Sequence, residues 1–244
     1  MYNTTIWAIQ EKTDQTSFHR IETSFKREQD ALLRVHQTSI GTHTMPTITS
    51  IEDLEALYGP VNPKAVTKVT PVITTLYKQW IEASKFLILS TVGPEGTDAS
   101  PRGDDGPVAT ILDNKTLAMP DWRGNNRLDS LRNIVRDPRV SLMFMVHSSE
   151  NVVRVNGTAT ITSDDAARKR FEQQGKLPAT VIVVSVEELY FQCAKAIMRS
   201  KLWKAPENPV DVPTAGQFIK EMDTEFDAKD YDESYADRAK GILW

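Results

Sequence analysis

A single cysteine, Cys193, stands among 244 residues. One thiol excludes an intrachain disulfide and a thiolate zinc cluster, and it fits a reducing compartment. Long apolar runs are also missing. None approaches the roughly 20 residues that a membrane helix needs, and the amino terminus lacks the short apolar core of a secretory signal. Positive charge is in deficit, with 29 Lys and Arg against 33 Asp and Glu and a formal net charge of −4. Binding nucleic acid or an anionic membrane surface in general demands a basic face that displaces counterions from phosphates. The expectation is a cytoplasmic protein that engages neither nucleic acid nor membrane, with scope for a local anion site.

Several chemistries lack their signatures. There is no GxGxxG or GxxxxGK[ST] loop for a nucleotide, and no GxSxG elbow for a serine nucleophile. His19, His36 and His43 lie in a poorly patterned stretch and His147 ends a strand-like run, so no histidine has a metal-ligand spacing and no metal is expected. Cys193 falls within an amphipathic pattern, where a buried inert thiol is the default.

What is present is an ordinary globular composition, 40% hydrophobic and 25% charged. At roughly 150 residues per domain the length allows one large domain or two small ones, with enough chain to bury a sizeable core. Residues 1–44 are rich in Thr, Gln, His and charge and carry no persistent apolar face. Their basic residues suit a transit peptide, but Glu11, Asp14, Glu22, Glu28 and Asp30 contradict its acid-poor composition. They read as an appendage, an upstream extension or an artefact, and the orderly sequence starts at Met45. A domain over residues 45–206 and an acidic tail over 207–244 complete the division.

Two helices are expected early in that domain. Ser50 precedes IEDLEALYG, with Asp53 in the acidic position of a capping box and Gly59 as a stop. In TPVITTLYKQWIEAS, Thr70 can cap, and Ile73, Leu76, Tyr77, Trp80 and Ile81 share one face. From Phe86 the period changes. FLILSTV, VATILD, KTLAM, RVSLMFMV, VVRVNGTATI and TVIVVSVEEL are rich in β-branched and apolar residues and read as six strands. Helices interrupt them only at NRLDSLRNIVRD and SDDAARKRFEQQG, too rarely for a doubly wound sheet. A mainly β, six-stranded antiparallel barrel with peripheral helices is expected, followed by a helix over EELYFQCAKAIMRS and by an acidic stretch of solvated helix or tail.

The segment LAMPDWRGNNRLDSLRNIVRDP takes a strand through a Gly/Asn loop onto an amphipathic helix whose expected buried face is Leu128, Leu131, Ile134 and Val135. Asn125 or Asn126 can cap that helix. Its free amides and dipole favour an anion, and Arg123 and Arg127 add donors suited to phosphate. The alternative leaves the asparagines as caps and the two arginines in water or paired with Asp121 and Asp129. SPRGDDGPV offers Ser100 and Arg102 for the same cradle, or else forms a hairpin turn with Arg102 paired to Asp104. CAKAIMRSKLW carries Lys195, Arg199 and Lys201 on or just beyond a helix leading to Trp203. Positive charge there is equally expected from dipole compensation.

Taken together, ASPRGD, PDWRGNNRLDSLRNI and CAKAIMRSKLW resemble a bacterial subgroup of the pyridoxamine 5′-phosphate oxidase-like flavoproteins, over roughly residues 48–206. The resemblance implies the FMN-binding split-barrel fold and a homodimer with two shared FMN sites. Ser100 and Arg102 would lie near the phosphate or ribityl chain. Arg123, Gly124, Asn125, Asn126 and Arg127 would wrap the phosphate, supported by Ser130 and Leu131. Arg199, Ser200 and Trp203 would approach the flavin from the opposite subunit. The implied function is an FMN-dependent oxidoreductase acting on a small molecule, with no protein acid or base required and hence no catalytic residue assigned. The alternatives are a flavin reductase or electron carrier, a non-catalytic flavin-binding or sensing module, and a split barrel holding haem or a deazaflavin. The vitamin-forming oxidases end in a basic, proline-containing tail that holds substrate phosphate, whereas this chain turns acidic after Trp203, which argues against pyridoxamine phosphate as substrate. Deleting residues 1–44 is expected to leave flavin content and thermal unfolding nearly unchanged, because that stretch has no apolar face to dock. A large drop in the midpoint of thermal unfolding would identify it as a docked arm.

Overall fold

A computed structural model describes residues 47–208 and 210–244, which divide into two units between residues 61 and 62. The expectations for residues 1–44 and for His19, His36 and His43 lie outside the described residues. In the first unit Ser50 Oγ accepts the amide of Asp53 at 3.1 Å, opening helix α1 (Ile51–Tyr58), and Gly59 ends it. The expected boundaries of that helix hold.

The second unit opens with two short helices, α2 (Pro63–Thr67) and α3 (Thr75–Ala83). Thr74, not Thr70, stands at the N-cap of α3, because Thr70 is tied by backbone bonds to Leu189. Seven strands follow: β1 (Phe86–Gly93), β2 (Gly96–Gly103), β3 (Thr110–Asp113), β4 (Thr116–Asp121), β5 (Arg139–Met145), β6 (Val152–Thr162) and β7 (Thr180–Gln192). They form one antiparallel sheet in the order β2-β1-β5-β6-β7-β4-β3. The expected six strands are therefore seven. The missed strand is β2, GTDASPRG, whose Gly, Asp, Ser and Pro speak for a turn. It pairs with β1 throughout, from Phe86 opposite Gly103 to Gly93 opposite Gly96, and being an edge strand it tolerates Pro101.

The core follows from period-two burial along the strands. Leu87 and Leu89 of β1, Leu117 and Met119 of β4, Leu142 and Phe144 of β5, Val153 and Val155 of β6, and Ile182 and Val184 of β7 are fully buried, with Ile81 of α3 packed among them. The two long strands β6 and β7 form a ribbon whose one end pairs with β5 and whose other end pairs with β4. Gly157 marks the register shift in that ribbon, where a Cβ would lie 2.0 Å from the Ser185 carbonyl oxygen. The close strand approach requires glycine.

Helix α4 (Asp129–Arg136) leads from β4 into β5 and packs on β1 and β2. Its buried residues are Ser130, Asn133 and Ile134, whereas Leu128 is 45% and Val135 78% exposed. The expected apolar face is thus only partly correct, and the reason is polar docking. Asn133 Nδ2 donates to Thr91 Oγ1 at 3.1 Å inside the packed layer. Gly93 makes room for it, since a Cβ there would sit 2.2 Å from Asn133 Oδ1. Asp137 then turns the chain into β5, its carboxyl held down to about 2 by hydrogen bonds from the Arg139 guanidinium and amide.

The remaining helices are α5 (Asp165–Lys169), α6 (Lys195–Ser200), α7 (Ala215–Met222) and α8 (Ala228–Lys240). The long helix expected over EELYFQCAKAIMRS is corrected. Its first half continues β7 because Val152 to Asn156 of β6 pair with Glu188 to Gln192, so only Lys195–Ser200 is helical, and Cys193, at the junction, is exposed rather than buried. The acidic tail forms the α7–α8 pair, where Asp232 of α8 accepts both the Thr214 hydroxyl and the Gly216 amide at the start of α7. Among the described residues no helix is long and apolar enough to cross a membrane.

Two substitutions separate core from surface. Phe144→Ala is expected to reduce unfolding free energy in urea by about 3–5 kcal/mol. Val135→Ala should change it by less than about 0.5 kcal/mol. Comparable losses would contradict the outward placement of Val135.

Candidate functional site

β2 carries Asp98, Ser100 and Arg102 at alternate positions, so all three fall on one face of the strand. That face borders the loop between β4 and α4. A cleft of about 320 Å³ lies between them, lined on the β2 side by those residues and on the loop side by Asp121, Trp122 and the run from Gly124 to Leu131. Ser100, Arg102, Gly124, Asn125, Asn126, Arg127, Ser130 and Leu131, expected from the sequence to serve one site, therefore meet in one cleft. Arg123 is not among the residues lining that cleft; it lines a neighbouring cavity that shares Trp122 and Gly124 with it.

Two polar ties hold the cleft's walls together. Arg102 Nη1 pairs with Asp121 Oδ1, joining β2 to the end of β4, with the two side chains only 19% and 11% exposed. Ser130 Oγ donates to Asp98 Oδ2 at 2.5 Å, joining α4 to β2. Arg102 is thus not paired with Asp104, and Asp121 is not the partner of the loop arginines. Arg127 reaches Asp129 instead, at 2.5 Å and in an exposed position. Asp98 escaped the sequence analysis; its alternation with Ser100 and Arg102 was the available signal, masked by the turn-like composition of β2.

The loop backbone is unusual in a useful way. Asn126 and Leu128 adopt left-handed conformations at φ 60° and 63°, a costly state for a leucine that is found where backbone groups are presented to a partner. Asn125 Oδ1 accepts the Arg127 amide at 3.0 Å. Neither asparagine caps the helix: Leu128 occupies the N-cap, and no side chain caps α4 there. The first-turn amides thus lack the acceptor that a capping side chain provides. Arg102 Nε is likewise buried without a hydrogen-bond partner among the described residues. An uncapped helix opening and an orphaned guanidinium nitrogen on one cleft are the features that an anion would satisfy.

Arg199, Ser200 and Trp203 do not reach this cleft within the chain. Arg199 and Ser200 are exposed on α6. Trp203 is half-buried, donates from Nε1 to the Ser149 carbonyl at 2.6 Å, and packs its ring 5.4 Å from that of His147.

Residues 73–193, the span of all seven strands and the cleft, match the family model for pyridoxamine 5′-phosphate oxidase. Solved structures similar to this chain include HupZ from Group A Streptococcus, at 21% identity over 48% of this chain and 91% of that one, with a TM-score of 0.40. General Stress Protein 26 from Bacillus anthracis is similar at 16% identity over 47% of this chain and 88% of that one, TM-score 0.38. An FMN-binding protein from Syntrophomonas wolfei is similar at 12% identity over 58% of this chain and 95% of that one, TM-score 0.36. No curated protein matches the chain significantly. Through residues 73–193 the chain belongs to the pyridoxamine 5′-phosphate oxidase-like family.

Proposed function

We propose that the protein is a cytoplasmic FMN-dependent oxidoreductase built on the split-barrel fold and working as a homodimer. The observation that carries this proposal is the convergence, on one cleft, of an uncapped α4 opening and the partnerless Arg102 Nε. The donor set fits a phosphate. Arg127 and the amides opening α4 would hold its oxygens, while Ser100 and Arg102 would hold the phosphate or the adjoining ribityl chain. Gly124, Asn125 and Asn126 shape the loop around it. Arg123, which lines the neighbouring cavity, would add its guanidinium to the phosphate. Ser130 and Leu131 support the loop from α4.

When bound, FMN supplies electron or hydride transfer through its isoalloxazine ring. The protein's part is to bind, orient and exclude water. At about 320 Å³ the cleft is at the small end of the range for small-molecule sites, roughly 300–1,000 Å³. It suits the phosphate end of the cofactor, with Arg199, Ser200 and Trp203 of a second copy completing the ring end. The chain after Trp203 is acidic rather than basic, in keeping with a substrate other than pyridoxamine phosphate.

Absorption of the purified protein, followed by mass spectrometry of the released cofactor, tests the assignment. FMN supports it, and haem or a deazaflavin replaces it. Reduction of the bound flavin by NADH or NADPH and its reoxidation by dioxygen would distinguish an oxidoreductase from a carrier or sensing module. Arg127→Ala should weaken FMN about ten- to more than a hundredfold, the value of one charge-assisted hydrogen bond. Arg136→Ala, at the other end of α4 and paired with Glu95 at 3.1 Å, should not. Riboflavin, lacking the phosphate, should bind both variants alike; equal losses of FMN and riboflavin affinity would withdraw the phosphate role of Arg127. Light scattering should give twice 27.5 kDa. A monomer that binds FMN tightly would refute the shared site.

A further inference from the structure

Beside the first cleft lies a second cavity of about 690 Å³, between the loop after β4 and the chain segment that follows α8. Among the described residues the charged side chains lining it are Arg123, Arg168 and Lys176. This contrasts with the first cleft, where three aspartates are present, and with a chain whose net charge is −4. Arg168 is partly engaged, donating from Nε to the Pro178 carbonyl at 2.8 Å and from Nη1 to Asp165 at 3.0 Å. Lys176 Nζ meets only a neutral acceptor, the Gly241 carbonyl, at 3.1 Å. Neither Lys176 nor Arg123 has a carboxylate within ion-pair distance among the described residues.

The rest of the cavity is aromatic and apolar. Trp122 and Trp244 stand edge to face, with ring centroids 5.3 Å apart and planes at 71°, and Leu177 and Ile242 lie beside them. Trp122 Nε1 is buried without an acceptor among the described residues, although a buried indole N–H ordinarily finds one. Two cations without a carboxylate partner among the described residues and an indole wall are thus gathered in a volume within the usual range for small ligands.

The geometry points to a second binding site in this cavity for a planar aromatic carboxylate, with the ring against Trp122 and Trp244 and the carboxylate on Lys176 and Arg123. Charge-assisted hydrogen bonds supply the selection for an anion, and the indole wall supplies the selection for a flat ring. The inference rests on the cavity and not on the cofactor assignment. Because the two cavities share Trp122 and Gly124, a ligand here would press on the loop that forms one wall of the first cleft.

Calorimetric titration of the purified full chain with 2-naphthoate and with its neutral isostere 2-naphthamide tests the site, with flavin content read by absorption on the same samples. Naphthoate is expected to bind at least tenfold tighter than naphthamide. Lys176→Gln keeps a donor for the Gly241 carbonyl but removes the charge, and should reduce that preference at least threefold while leaving naphthamide unchanged. Trp244→Ala should weaken both ligands at least fivefold, and Trp244→Phe, which keeps a ring, should recover most of the loss. Equal affinity for the two ligands would overturn the proposal, as would a preference that survives Lys176→Gln or binding indifferent to Trp244. Naphthoate binding that is lost in Arg127→Ala but intact in Lys176→Gln would place the ligand in the first cleft and refute the second site. Because the cavities share Trp122 and Gly124, affinities are compared between samples of equal flavin content.

Discussion

The ion pair between Arg102 and Asp121 is the constraint on which the site depends. In the hydrogen-bonded order of strands β2 stands first and β4 sixth, yet these side chains touch. The sheet must therefore curl until its two flanks face each other, although no backbone ladder among the described residues joins them. Attraction between two poorly hydrated charges is largely offset by their desolvation, so the pair contributes position more than stability. It sets Asp98 and Ser100 of an edge strand opposite a loop that lies more than 20 residues further along the chain.

The second constraint is the polar seat of α4. A helix that buried only aliphatic side chains could slide along the sheet, whereas Asn133 on Thr91, Gly93 beneath Asn133, and Ser130 on Asp98 leave one position. Buried polar groups are costly unless paired, and this pairing specifies where the helix opens. With that opening fixed and uncapped, the strained backbone at Asn126 and Leu128 directs the loop's polar groups to the cleft.

Charge is sorted around this loop rather than spread evenly. Asp98, Asp121 and Asp129 gather on the side that holds Arg102 and Arg127, while Arg123, Arg168 and Lys176 gather on the other. Trp122 separates the two sets. The net charge, which speaks against polyanionic partners, says nothing about this local segregation, because it is produced by bringing α5, the β6–β7 connection and the segment after α8 to one side of the loop.

Much of the molecule was legible in the sequence where a residue's role is local. The apolar and β-branched runs became β1 and β3 to β7 because burial repeats every second residue in a strand. Ser50 opened α1, and the Gly/Asn loop opened α4. The motifs around Ser100 and Arg127 also named side chains that do meet in space. Tertiary structure decided the rest. β2 became a strand because β1 offered it a complete ladder, against its own turn-like composition. β7 ran on through EELYFQ because the start of β6 lay alongside it. α4 buried Asn133 and exposed Val135 because its seat on β1 is polar. Periodicity reports the side chain's own preference for water or core, whereas a ladder, an ion pair or a close approach over glycine depends on a partner distant in sequence, and only the folded chain brings that partner into reach.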